Sequence, residues 1–330
     1  MNILVCGGAG YIGSHMVRAL LNAGHQVSVF DNLSTGYEWS IPEGVFLLQA
    51  DLLNEGALAS FLGSQPFDAV MHFSAKSLVG ESVDQPHEYY LNNVVGTLNL
   101  LRAMRKANID KFVFSSTAAT FGNPLSEFIG EDHPQNPINP YGKTKLMVEQ
   151  ILQDYASAYG LNSVSLRYFN AAGADPSGEI GEAHEPETHL IPNVLRSTLS
   201  ALPSNQLKIF GNDYPTPDGT CVRDYIHVND LADAHLKAIH YMGENPGAHA
   251  FNLGNGAGFS VLQVIAAAED VVGHEIPYEI VSRREGDPAV LVGNSTLANE
   301  KLDWTPQYQD IKSIVETAWT WHQRHHGGKN

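Results

Sequence analysis

The chain has 330 residues, 43% of them hydrophobic, enough to bury a sizeable core and to exclude disorder as its main state. Nineteen basic residues against 36 acidic ones leave a formal charge of −17, which argues against nucleic acid or an anionic membrane as partner, since both demand a basic surface. Two cysteines cannot build a disulfide framework, no apolar run approaches the ~20 residues that cross a bilayer, and Met1–Val5 runs straight into a buried-type strand, so a cytoplasmic protein is expected.

In chain order, Ile3–Val5, Val27–Phe30, Val45–Leu48, Ala69–Phe73, Phe112–Ser115 and Val164–Tyr168 read as strands. Helical patterns fall between them, at Tyr11–Ala23 and Thr97–Lys106, and another begins at Pro140 with Asn139 as its cap. This alternation predicts an α/β fold, a Rossmann-type doubly wound parallel sheet. Past residue 170 the texture changes. Ala171–Glu187, rich in Gly, Pro and acidic residues, reads as a loop or domain crossing. The expected division is a first domain over 1–170 and a smaller mixed α/β domain over 171–330. The segment at about 228–253, a helix Val228–Tyr241 and a strand Ala250–Leu253, returns to the first. Trp304, Trp319 and Trp321 are expected to pack the second domain, and His72, inside an apolar strand, to be a core residue.

The first strand ends in Gly7-Gly8-Ala9-Gly10-Tyr11-Ile12-Gly13. Glycines between a strand and a helix permit a tight turn and let backbone amides approach a pyrophosphate at the helix N-terminus. Asp31, at the end of the second strand, is placed to accept from a ribose 2′-hydroxyl, and Asn32-Leu33-Ser34-Thr35-Gly36 after it contains no arginine for a 2′-phosphate. NAD is therefore expected rather than NADP. Asp51, after the third strand, reads equally as an adenine contact or a loop-capping residue.

Tyr141 and Lys145 stand four apart, neighbours on one helix face. A cation beside a phenol favours the phenolate, which makes the tyrosine a proton acceptor near neutral pH. Thr117, at the end of the strand Phe112–Ser115 and its Ser116 extension, would present a hydroxyl beside it at the carboxyl edge of the sheet, where α/β folds bind ligands.

Further segments complete a pattern: Val79–Val83, Asn92–Leu101, Asn139–Lys145, Arg167–Gly178, Phe210–His235 and Arg283–Ala289. With Gly7–His15, they make the chain resemble, over nearly its whole length, the UDP-glucose 4-epimerase family of extended short-chain dehydrogenase/reductases. The resemblance implies reversible inversion at C4 of a UDP-hexose through a 4-keto sugar, with NAD retained between turnovers. It implies Tyr141 as base, Lys145 as its helper and a nicotinamide-ribose contact, and Thr117 on the sugar 4-hydroxyl. Leu52, Phe73, Ser74, Ala75, Ser77, Asn92 and Tyr168 join the glycine loop around NAD. Some members carry Lys at the position of Ser77, so Lys76 is the residue to watch.

On the substrate side the resemblance implies Phe169, Asn170, His189, Leu190, Lys208, Phe210 and Tyr225, with Arg223 and Arg284 on phosphate and Asp287 on the uridine ribose. Two planar guanidinium forks suit a diphosphate. The resemblance places Leu291, four beyond Asp287, near the sugar 2-position, where a residue smaller than tyrosine leaves room for a 2-acetamido group. A homodimer through helices of the first domain is also implied. The rival readings are a nucleotide-sugar 4,6-dehydratase and a non-catalytic NAD-binding regulator. The first needs an acid–base pair where this chain has Ala118 and Ala119, and the second has no use for Thr117, Tyr141 and Lys145 together. His184 with His189, and His322 with His325 and His326, are the suggestive histidine clusters; both read as loop or tail residues, and no metal is expected.

Overall fold

Ile3 and Val5 point to one side of the first strand, Leu4 and Cys6 to the other, and all four are fully buried. A strand apolar on both faces belongs in the middle of a parallel sheet covered by helices on each side. The computed structural model describes residues 1–199, 207–284 and 287–326, so Glu285 and Gly286 of the Arg283–Ala289 motif lie outside the described residues. The large sheet has seven parallel strands in the spatial order Ala248–Leu253, Asn162–Tyr168, Lys111–Thr117, Ala69–His72, Asn2–Cys6, Gln26–Asp31, Phe46–Gln49. Strand order reverses beside Asn2–Cys6. The crevice outside the carboxyl ends at such a reversal is where open α/β sheets take ligands.

Helices Tyr11–Asn22 and Val228–Glu244 cover one face through Met16, Val17, Leu20, Leu231 and Ile239. Helices Glu55–Leu62, Gly96–Lys106 and Pro140–Tyr159 cover the other through Leu58, Leu101, Met104 and Val148. The helix at Pro140 starts as its sequence dictates: the Asn139 side chain accepts from the Gly142 N–H at 2.8 Å, and Pro occupies the first turn, where no N–H is needed. Its other end stops at Gly160, in the left-handed region at φ 71°.

The strand Ala248–Leu253 pairs with Asn162–Tyr168, and Tyr225–His227 runs parallel to Asn170–Ala172. Helices Leu190–Leu199, Val261–Val272 and Ile311–His326 build a separate core of Val194, Leu195, Val264, Ile314 and Val315. Beside it a four-stranded sheet orders Phe259–Ser260, Val222–Arg223, Val290–Gly293 and Phe128–Ile129. Phe128–Ile129 comes from the N-terminal half, so the two halves are stitched by a strand as well as by crossings.

Two expectations need correcting. Trp304 packs not in the second core but on the large sheet's side, with Ala298 and Leu302, and its indole N–H donates to the Asp230 carbonyl at 2.9 Å. The chain is drawn there because the helix Val228–Glu244 has already returned to that sheet. His322 and His325 are not tail residues but lie in the helix Ile311–His326, His322 buried. His72 is buried, with Nε2 2.8 Å from the Thr97 hydroxyl.

Candidate active site

The glycine loop has no room for side chains where it bends. Gly7 has φ 80°, and a Cβ there would lie 2.5 Å from the Ser74 backbone nitrogen; a Cβ on Gly13 would lie 2.0 Å from the Gly7 carbonyl oxygen. The helix Tyr11–Asn22 therefore starts hard against the strand end, its first N–H groups facing the crevice. Such a cradle, closed to a Cβ, fits a dinucleotide pyrophosphate. Asp31 is buried, accepting from the Ala9 N–H at 2.9 Å and the Leu33 N–H at 2.8 Å. Burial raises its pKa, and the two backbone donors oppose that shift. A carboxylate has acceptor sites beyond those two, which suit ribose hydroxyls. Asp51 accepts from the Asn32 side chain and from the Leu53 N–H, each at 2.8 Å, so it serves its loop as a cap.

Tyr141 and Lys145 sit one turn apart on the helix Pro140–Tyr159, facing the end of the strand Lys111–Thr117. The Thr117 hydroxyl lies near enough to the Tyr141 phenol to favour its ionised form, against the burial that raises it. The Lys145 ammonium donates to the Ser115 carbonyl at 2.7 Å and lies 4.7 Å from the centre of the Phe114 ring. Burial pushes Tyr141 up to about 12 and Lys145 down to about 7. The lowering of the phenol that Tyr-Lys spacing alone predicts is thus not what these protein groups deliver. Desolvation outweighs a lysine that stands 5.9 Å from the ring centre.

Three residues that position this centre escaped the sequence reading. Glu149, the next turn of the same helix, is buried and takes the Arg167 guanidinium by both carboxylate oxygens, at 3.0 and 3.1 Å from Nε. Asn93, buried in the π-helical turn Tyr90–Val95, accepts from the Lys76 N–H at 2.9 Å and donates to the Thr144 hydroxyl at 3.1 Å, tying the cleft wall to the helix that carries Tyr141 and Lys145. Asp224, fully buried, accepts from the backbone N–H groups of Asn255, Gly256 and Gly293 at 2.7, 3.2 and 3.1 Å. Its only sequence signal was an acid wedged between Arg223 and Tyr225.

At the far end, Arg223 lies 3.4 Å and Arg284 2.9 Å from opposite oxygens of Asp287. Arg284 also covers the Phe210 ring at 4.9 Å, an arrangement with a charged fork above an aromatic face. Asn170 donates to the Asp224 carbonyl at 2.8 Å. Leu291, on the strand Val290–Gly293, packs with Phe169 against Ala118, Phe121 and Ile129.

One cleft of about 1460 Å³ joins these parts. Gly7, Gly10, Tyr11, Ile12, Gly13, Thr35, Phe73, Ala75 and Ser77 line its dinucleotide end, with Thr117, Tyr141, Lys145 and Tyr168 in the middle. Phe169, Asn170, His189, Leu190, Lys208, Phe210, Arg223, Tyr225, Arg284, Asp287 and Leu291 line the rest. Asp31, Asn32, Ser34, Gly36, Asp51, Leu52, Ser74 and Asn92 are not on its wall. Leu52 is buried against the helices, Ser74 backs Gly7, and Asn92 donates to the Asn93 side chain. Lys76 pairs with Glu81 at 3.9 Å, while Ser77 faces the cleft.

The sequence pattern of the NAD dependent epimerase/dehydratase family matches residues 3–254. The UDP-glucose 4-epimerase of Halalkalibacterium halodurans is 51% identical over 328 residues, covering 99% of this chain and 97% of its own. A solved UDP-glucose 4-epimerase is similar at TM-score 0.96 and 49% identity, with 100% of both chains covered. The Brucella ovis UDP-glucose 4-epimerase in complex with NAD gives TM-score 0.93 at 46% identity, covering 96% of this chain and 97% of that one. Relatives of this likeness run the full length of the sheet, the cleft and the second core, and the chain belongs to the NAD dependent epimerase/dehydratase family.

Proposed function

We propose that the chain is an NAD-dependent epimerase that inverts C4 of a UDP-hexose, interconverting UDP-galactose and UDP-glucose through a 4-keto sugar. The observation that carries this reading is the placement of Thr117, Tyr141 and Lys145 midway along one cleft, between a dinucleotide cradle and a pair of arginines. NAD held by the glycine loop, Asp31 and the neighbouring residues supplies reversible hydride acceptance at the sugar carbon.

The chain's own residues do the rest. The Tyr141 oxygen takes the 4-hydroxyl proton, with Thr117 bridging phenol and sugar, and later returns it to the inverted hydroxyl. Lys145 stabilises the phenolate while Tyr141 lacks its proton. Arg223 and Arg284 hold the diphosphate and Asp287 the uridine ribose. Anchorage far from the reacting carbon leaves the ring free to turn over between the two hydride transfers, so binding energy is spent where it does not obstruct chemistry. Phe169 and Leu291, apolar neighbours on the wall, offer the ring no charged group to lock onto. Dehydration lacks its acid–base pair, since Ala118 and Ala119 follow Thr117 and Ala118 is buried.

The division of labour assigns 1–170 with about 228–253 to the dinucleotide and the remainder to the UDP-sugar. A homodimer through first-domain helices agrees with exposed Val83, Val95 and Met147 there. Among the described residues no helix is long and apolar enough to cross a membrane, and two buried free cysteines agree with a reducing cytoplasm. The deciding experiment incubates purified protein with UDP-galactose, without added NAD, and follows UDP-glucose. Formation of UDP-glucose by protein carrying its own NAD is expected; a product lacking water, or none even when NAD is added, overturns the reading.

A further inference from the structure

The crossing loop gathers a second cluster of chemistry-bearing side chains. Glu182, His184, Glu187 and His189 each offer one ligand atom, and those atoms all lie within 4.8 Å of one another. Nδ1 of His184 is 2.9 Å from Oε1 of Glu182, and Nδ1 of His189 hydrogen-bonds the same oxygen. Glu182 is buried, with only 3% of its side chain exposed. Glu187 is fixed by the Thr188 and His189 N–H groups, which donate to Oε1 at 2.8 and 2.9 Å, while its buried Oε2 has no hydrogen-bond partner. Two imidazoles and two carboxylates are drawn into one small volume, and one buried carboxylate oxygen among them is left without a partner. That is an arrangement a cation completes.

The donor set selects among cations. Imidazole nitrogens suit zinc-class ions, whereas magnesium and calcium prefer all-oxygen cages. Metal–ligand bonds of about 2.0–2.2 Å put tetrahedral ligand atoms roughly 3.4 Å apart, so this cluster closes by small side-chain rotations. We propose that Glu182, His184, Glu187 and His189 bind one divalent transition ion of the zinc class, at a site apart from the proton-transfer residues. The expectation of no metal rested on the missing histidine–carboxylate motif on a helix; these four lie on irregular backbone, where no periodicity announces them.

The neighbours say what such an ion would do. His189 immediately precedes the helix Leu190–Leu199, and Leu190 lines the cleft. The His184 ring meets the Tyr11 ring edge-on at 6.1 Å, and the Tyr11 hydroxyl donates to the Gly173 carbonyl at 2.6 Å. The Trp321 indole donates to the Glu182 carbonyl at 3.0 Å. An ion here staples the loop that borders the cleft to the glycine-loop helix on one side and the last helix on the other.

The test uses untagged full-length protein stripped with a chelator and titrated with Zn²⁺ or Co²⁺ alone. One ion per chain, an intense tetrahedral Co²⁺ visible spectrum and a raised Tm are expected. Ligand loss in His184→Asn or Glu187→Gln should weaken binding by at least the roughly 10–100-fold known for loss of an outer-shell partner. The melting transition of each variant in metal-free buffer shows that it is folded. A weak octahedral Co²⁺ spectrum, or folded variants that bind as the parent does, overturns the site. Displacement of Co²⁺ by equimolar Mg²⁺ overturns the zinc-class assignment.

Discussion

Lys145 stands one helical turn from Tyr141, its ammonium bonded to the Ser115 carbonyl at 2.7 Å and 5.9 Å from the centre of the tyrosine ring. An ammonium at that range favours the phenolate, but burial of the ring outweighs it and holds the phenol up at about 12. Tyr141→Phe should therefore keep its NAD and lose about 10²–10⁴-fold in kcat. Lys145→Met should keep some activity but move the acid limb of the pH–rate profile upward, because a cation beside the phenolate is lost. Turnover of the phenylalanine variant within threefold of the parent would remove Tyr141 as base.

Arg284→Ala should weaken UDP binding, measured by calorimetry, by about tenfold or more, because a charge-assisted contact to phosphate is lost. The residue is half-exposed and already paired with Asp287, so its removal leaves the fold intact. Unchanged affinity for UDP would place the diphosphate elsewhere.

Leu291→Tyr tests the breadth of the substrate pocket. Leu291 belongs both to the cleft wall and to the cluster around Phe121, so added bulk cannot retreat inward. Overpacking of about 1–3 kcal/mol corresponds to about 5- to 150-fold discrimination against a 2-acetamido sugar. The parent should epimerise UDP-N-acetylglucosamine as well as UDP-glucose, and the tyrosine variant should lose the former selectively in kcat/KM. A parent blind to the acetylated sugar, or a variant that discriminates no better, contradicts the gate.

Acid should unfold the protein early. His15, His72, His227 and His235 are buried, and burial lowers them to about 4, 3, 3 and 4. Below pH 6.5 the unfolded chain takes up protons that the folded one refuses. Stability is therefore full above 6.5 and falls as pH drops toward 4, by about 1.4 kcal/mol per pH unit for each histidine. Tm measured from pH 7.5 to 4.5 should fall steeply below 6.5; a flat profile would mean these imidazoles are charged in the fold.

The large sheet was legible because its central strands are buried on both faces and read as short apolar runs, and because Asn139 and Pro140 mark the start of a helix. The glycine loop and the Tyr-Lys pair were legible for a related reason: their chemistry depends on spacing within one turn or one loop. The resemblance decided the arginines, which local pattern alone left open between a diphosphate and ordinary ion pairs.

Asp224, Glu149 and Asn93 had no such signature, because each acts on backbone or side chains far away in sequence. Trp304 likewise followed the returning helix Val228–Glu244 to a core that its position in the chain does not suggest. The sequence by itself determined the periodicities, the turns and the one-turn pair of Tyr141 and Lys145, all set by neighbours along the chain. Only the tertiary structure decided how desolvation moves those two groups, which residues share the cleft, and that four side chains of the crossing loop meet, since burial and convergence depend on contacts made after the chain has closed on itself.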